Sequence, residues 1–176
     1  MFTPKFAATA LGIAGILLMG PLSAQQPRLG IPATPAQLES LDLIIQSDGA
    51  GLPQGSGTAL QGKAVYERRC QTCHGGSGEG ANPSLQLVGG NVQSEGTPVR
   101  TVGSYWPFAT TLYDYVRRAM PADSPKSLSN EEVYQVTAYL LYLNGIIAED
   151  QVMDSTSLPR VQMPNRDGFI DLSSEH

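Results

Sequence analysis

Both cysteines of this 176-residue chain and one of its two histidines fall within five consecutive positions, in the stretch RRCQTCHGG at residues 68–76. Two thiols and an imidazole held so close together leave few chemistries open. A dithiol redox pair of the thioredoxin kind needs a βαβ setting, and no such pattern surrounds these residues. A structural zinc site needs four ligands, and beyond Cys70, Cys73 and His74 the only other conventional soft ligand is His176 at the chain end. A disulfide across two residues would explain neither the histidine nor the glycines that follow.

The spacing C-x-x-C-H does fit covalent attachment of one haem c. Two thiols add across the haem vinyl groups, and the adjacent imidazole is placed to ligate the iron from the proximal side. Cys70, Cys73 and His74 are therefore the first cofactor-binding candidates. A small helical domain has little apolar mass of its own, so a fixed porphyrin becomes part of its core.

The first 24 residues, MFTPKFAATALGIAGILLMGPLSA, combine one early lysine with an apolar run and a small-residue exit at Ser23–Ala24. That is the layout of a secretory signal peptide. A retained membrane anchor is the alternative, since the run is near the short end of a spanning helix. Gly12, Gly15, Pro21 and the exit favour cleavage after Ala24, which predicts an exported, periplasmic protein with no membrane attachment. In an oxidising compartment two free cysteines need a covalent fate, which attachment to haem supplies. Cleavage leaves 10 basic and 16 acidic side chains, a net charge of −6. Nucleic acid, whose recognition relies on cations meeting phosphates, is excluded as a partner.

With 41% hydrophobic and 15% charged residues, the chain reads as one small domain with extensions. Residues 25–57 are rich in proline and glycine, with a short apolar patch at Leu41–Ile45 that suits a strand or a helical turn. Residues 58–145 carry the helical signals. A first helix is capped by Thr58, with Leu60, Ala64, Val65 and the stem of Arg68 along one side. It delivers its end to the cysteine motif, after which GGSGEGANPSLQLVGG suits backbone wrapped closely around something. A second helix in TTLYDYVRRA places Leu112, Tyr115, Val116 and Ala119 at helical spacing and stops near Met120, before Pro121. A third opens on a Ser129–Glu132 capping box, carries Val133, Val136, Leu140 and Leu143 on one face, and closes at Asn144–Gly145. Strand alternation is almost absent, so the fold class is all-α.

The sixth iron position has few candidates: Met120, Met153 and Met163 lie beyond His74. Met120, just past a helix in RRAMPADSP, can leave the helix and reach across, and core filling is its alternative role. Met163 in QMPN is the next candidate. Tyr105 and Trp106 suit the boundary at the haem propionates equally with ordinary packing. Arg117 and Arg118 suit propionates or a partner, but a place in the last helical turn already favours them.

The residues Gly62, Tyr66, CQTCH, GANPSL, AMP and LSNEEVYQVTAYL together resemble the class I cytochrome c family, over about residues 62–145. The resemblance implies about three main helices around the haem, with the first and last crossing near Gly62 under Tyr139. It also implies that the backbone carbonyl of Pro83 accepts the proton of His74 Nδ1. A narrower resemblance, in TVGSYWPFATTLYDYVRRAMP, VTAYLLYLNGIIAEDQVMD and MPNRDGF, is to the monohaem cytochrome subunit of molybdenum sulfite dehydrogenase or sulfur dehydrogenase, the SoxD type. It implies a non-catalytic electron-transfer protein that accepts single electrons from a molybdopterin subunit and passes them to a downstream cytochrome. A free periplasmic shuttle and a haem enzyme with an open iron site are the competing readings. The tail over residues 146–176 is expected to lie extended, with Ile146–Leu158 on the domain and Met163 onward facing the partner.

Overall fold

The computed structural model describes residues 30–41, 43–93 and 95–170; the leader at residues 1–24 and His176 lie outside them. The chain divides into two compact units, residues 1–35 and 36–176. Of the first, residues 30–35 are described, and residues 30–34 among them are exposed and non-helical. The elements are α1 (Pro35–Leu41), β1 (Ser56–Gly57), α2 (Ala59–Arg69), α3 (Gln71–His74), α4 (Ala109–Ala119), α5 (Asn130–Leu143) and β2 (Met153–Asp154), followed by a 3₁₀ turn at Leu158–Arg160. The fold is all-α, with α2, α4 and α5 as its three main helices, as expected. The described strands are the two short ones, which pair antiparallel with Ser56 opposite Asp154 and Gly57 opposite Met153.

Helices α2 and α5 start where their capping residues dictate. The Thr58 hydroxyl accepts from the Gln61 amide at 3.3 Å while the Gln61 side chain accepts from the Thr58 amide at 3.0 Å. Ser129 and Glu132 repeat the exchange at 3.2 and 3.0 Å. Each pair satisfies two amides that a helix start leaves without partners. At the far end of α5, Gly145 donates to Tyr142 O at 2.8 Å and Ile146 to Leu141 O at 3.0 Å. This double closure needs the left-handed backbone that Gly145 adopts at φ 68°.

The crossing of α2 over α5 sets the rest. A Cβ at Gly62 would fall on the Gln135 carbonyl and lie 2.9 Å from Tyr139 Cβ, so the two backbones are in contact there. The buried face of α2 is consequently Ala59, Gly62, Val65 and Tyr66. Leu60, Ala64 and Arg68, expected on that face, are exposed, and Val65 alone of that group is buried. The aliphatic spacing had pointed to Leu60, but the closest approach goes to the residue without a side chain. Tyr66 packs on Tyr139 with ring centroids 5.2 Å apart, and Tyr113 of α4 packs on Tyr134 at 4.5 Å. α5 is buried along most of its length, from Val133 to Leu141. On α4, Leu112 and Val116 are buried as expected, whereas Tyr115 is half-exposed.

Both flanking segments join this core. Ile45 is buried, and its amide donates to Asp114 Oδ1 on α4 at 3.1 Å. Arg118 grips the same carboxylate through Nε at 3.0 Å and through a second nitrogen, so this arginine is spent inside α4. Tyr134 donates its hydroxyl to Pro53 O at 2.9 Å. From the other end come Met153, Leu158, Val161 and Met163, all buried. Met163 therefore packs inward, against the expectation that it faces a partner: an apolar side chain there gains more from the core than from a surface.

Gly62→Ala should destabilise the protein by more than about 2 kcal/mol, because a side chain forced between two backbones must push the helices apart; thermal unfolding of the holoprotein measures it. The amide of Ser129 holds the Glu132 carboxyl below its ordinary range, with Arg68 adding at 2.8 Å. A depressed carboxyl contributes stability above its unfolded pKa and loses it as pH falls through the folded one. Glu132→Gln should thus flatten the acid limb of melting temperature against pH and leave neutral pH less stable than the parent.

Candidate haem site

Cys70 ends α2 and begins α3, with its amide donating to Tyr66 O at 2.8 Å. The amides of Cys73 and His74 both turn back to Cys70 O, at 3.2 and 3.0 Å. The motif is thus one tight helical turn hung from α2, and the α2–α5 crossing fixes where it sits. Both thiols are free, Cys70 half-buried and Cys73 exposed. Burial pushes the Cys70 thiol up to about 11, partly opposed by Arg69. Among the described residues no group of three or more His, Cys, Asp or Glu could hold a metal ion.

His74 Nδ1 lies 2.6 Å from the carbonyl of Leu85. With the proton of Nδ1 given to that oxygen, the lone pair of Nε2 is left for a metal, and the ring is held in one orientation. The acceptor is two residues beyond Pro83, the one the family resemblance implied. Asn82 explains the shift: its side chain accepts from the Ser84 amide at 3.0 Å and its carbonyl from Leu85 at 3.0 Å. That turn leaves Pro83 exposed and carries the Leu85 carbonyl to the imidazole.

The loop around the histidine is braced from three sides. Tyr66 donates its hydroxyl to Gly75 O at 2.8 Å. Glu79 accepts from the Ser77 and Gly76 amides at 2.7 and 3.2 Å, and Gly80 donates to His74 O at 2.8 Å. Its own backbone amide first, then those of Ser77 and Gly76, hold the Glu79 carboxyl below its usual range. Asn144, at the end of α5, donates to Leu87 O at 3.2 Å and accepts from Gly89 at 3.2 Å. Sequence reasoning missed Leu85 and Glu79 altogether and gave Asn144 only its helix-capping role; their contacts are between backbone and loop, which leave no periodic trace.

Against the buried core rest several half-buried apolar side chains, among them Cys70, Leu87, Trp106, Met120, Leu128 and Leu143. An apolar, flat group that adds to a small core needs such a set, half-covered by protein and half available. The residues present fit covalent haem: two free thiols one turn apart, an imidazole oriented through Nδ1, and partly covered apolar side chains at the margin of the core. Met120 caps α4, its amide on Val116 O at 3.1 Å. Trp106 stands edge-on to Tyr115 at 5.6 Å, and Tyr105 edge-on to Phe169 at 5.2 Å, with Arg100 5.1 Å above its ring.

The comparisons agree with this geometry. The family model described as cytochrome c oxidase, cbb3-type, subunit III matches residues 57–140. The chain is similar to one in the crystal structure of the sulfane dehydrogenase SoxCD from Paracoccus pantotrophus, at 38% identity and a TM-score of 0.76, covering 86% of this chain and 75% of that one. No curated protein matches the chain.

Cys70→Ala and Cys73→Ala should each leave a single thioether, read as a shift of the pyridine haemochrome band to longer wavelength. The double variant should lose all haem in a denaturing gel, and haem that persists there would move the attachment elsewhere. From the motif, the braced histidine and the relatedness at 38% identity it follows that the chain belongs to the class I c-type cytochromes of the SoxD type, and that its cofactor is one covalently attached haem c.

Proposed function

We propose that the protein is an exported, periplasmic electron carrier whose iron is held by His74 and Met120. It accepts single electrons from a molybdenum dehydrogenase subunit and passes them to another cytochrome. The observation that carries the reading is how the three methionines beyond the motif are sorted. Met153 and Met163 are 0% and 3% exposed, locked in the core. Met120 is half-buried at the end of a helix, one of the partly covered side chains packed against the core, as Cys70 and Trp106 also are. Of the three it alone has a side chain not already consumed by packing.

Haem bound at this motif supplies a one-electron couple between ferrous and ferric iron. Cys70 and Cys73 would hold it covalently, His74 would keep its ring fixed through Leu85, and Tyr105 and Trp106 would stand at the propionate boundary. A protein ligand on each side leaves no position for substrate, so this arrangement moves electrons and does no bond chemistry. The similarity to a sulfane dehydrogenase supports a dehydrogenase donor.

The oxidised protein should show the weak near-infrared sulfur-to-iron band, and Met120→Ala should abolish it while Met153→Ala and Met163→Ala retain it. Loss of the band in the Met163 variant alone would transfer the ligand there. Ready binding of carbon monoxide or cyanide by the parent protein would favour a haem enzyme instead, and native purification without a stoichiometric partner would favour a free shuttle.

A further inference from the structure

The stretch MPNRDGF at residues 163–169 directs three of its side chains, Asn165, Arg166 and Phe169, at one target. Met163 is anchored in the core at 3% exposure. Two successive turns follow, with Arg166 N on Met163 O at 3.1 Å and Gly168 N on Asn165 O at 3.2 Å. Out of these turns Asn165 Nδ2 donates to the Tyr105 carbonyl at 2.7 Å. Arg166 lies over the Phe108 ring at 4.3 Å, and Phe169 meets the Tyr105 ring edge-on at 5.2 Å. A Cβ on Gly168 would collide with the Asn165 carboxamide, so a side chain there would push that carboxamide aside. A hydrogen bond, a cation over a ring and an aromatic pair converge on the segment Tyr105–Phe108.

We propose that residues 163–169 are an intramolecular clamp that positions the Tyr105–Phe108 segment, and with it Trp106, at the haem, and so limits the water that reaches the cofactor. The clamp acts through other residues and touches no reacting atom. It rests on the placing of Tyr105 and Trp106 at the propionate boundary. The reduction potential of a haem follows its burial and hydrogen bonding, because water stabilises the extra positive charge of the ferric form. Releasing the clamp therefore favours the oxidised state. Ile170, 82% exposed, stands just outside the clamp.

The test uses the full-chain holoprotein. Trp106 is the only tryptophan, so its emission, quenched by nearby haem, reports the position of the segment. Asn165→Ala and Phe169→Ala should each raise that emission several-fold and lower the midpoint potential, while Ile170→Ser changes neither. Unchanged emission and potential in both clamp variants would overturn the proposal, and slower electron transfer from a dehydrogenase alongside them would make the stretch a docking element. Equal effects from Ile170→Ser would also overturn it. Failure of the site reading is separable: haem retained by the Cys70/Cys73 double variant, or full Trp106 emission in the parent holoprotein, counts against the cofactor's placement and not against the clamp contacts.

Discussion

Contact between two helix backbones at Gly62 governs the molecule. Because α2 has no side chain where it meets Gln135 and Tyr139, the helices close to a distance that no other residue allows. The end of α2 is then fixed relative to the end of α5. One end carries Cys70, Cys73 and His74; the other carries Asn144, which ties down the loop at Leu87 and Gly89. Cofactor motif and wrapping loop are thus referenced to a single crossing point. The hydrogen bond from His74 to Leu85 is its furthest product, a ring orientation set by a carbonyl 11 residues away in sequence.

What could be read from sequence was whatever local chemistry enforces. The Thr58 cap, the Ser129–Glu132 capping box and the Gly145 closure involve residues three to five apart, and all three stand where the pattern put them. The haem motif was legible for the same reason. The buried face of α2 was misread because amphipathic spacing weighs side-chain hydrophobicity, whereas a helix crossing is decided by the smallest residue; Leu60 ended 66% exposed. Pro83 was taken for the residue whose carbonyl accepts from the histidine because family spacing cannot register a two-residue turn at Asn82. The role of Met163 was hidden for a further reason: its burial depends on long-range packing.

The flanking segments contribute through a different device. Residues 43–57 and 146–163 show no regular amphipathic pattern, yet they supply Ile45, Met153, Leu158 and Val161 to the core. Their hold is a set of single polar ties, such as Asp114 on the Ile45 amide and Tyr134 on Pro53 O, joined by the two-residue strand pair. Such ties satisfy buried backbone groups that irregular segments would otherwise leave bare. The helical region between residues 58 and 145 is therefore only part of the cooperative unit.

The position of Met163 has a consequence for the order of events in biosynthesis. A chain is made from its N-terminus, and Cys73 precedes Met163 by 90 residues. Until the last buried side chains emerge, the core lacks four of its apolar members and the thiols remain on an open polypeptide. The cofactor motif is therefore made well before the residues that complete the core, and full packing waits for the tail.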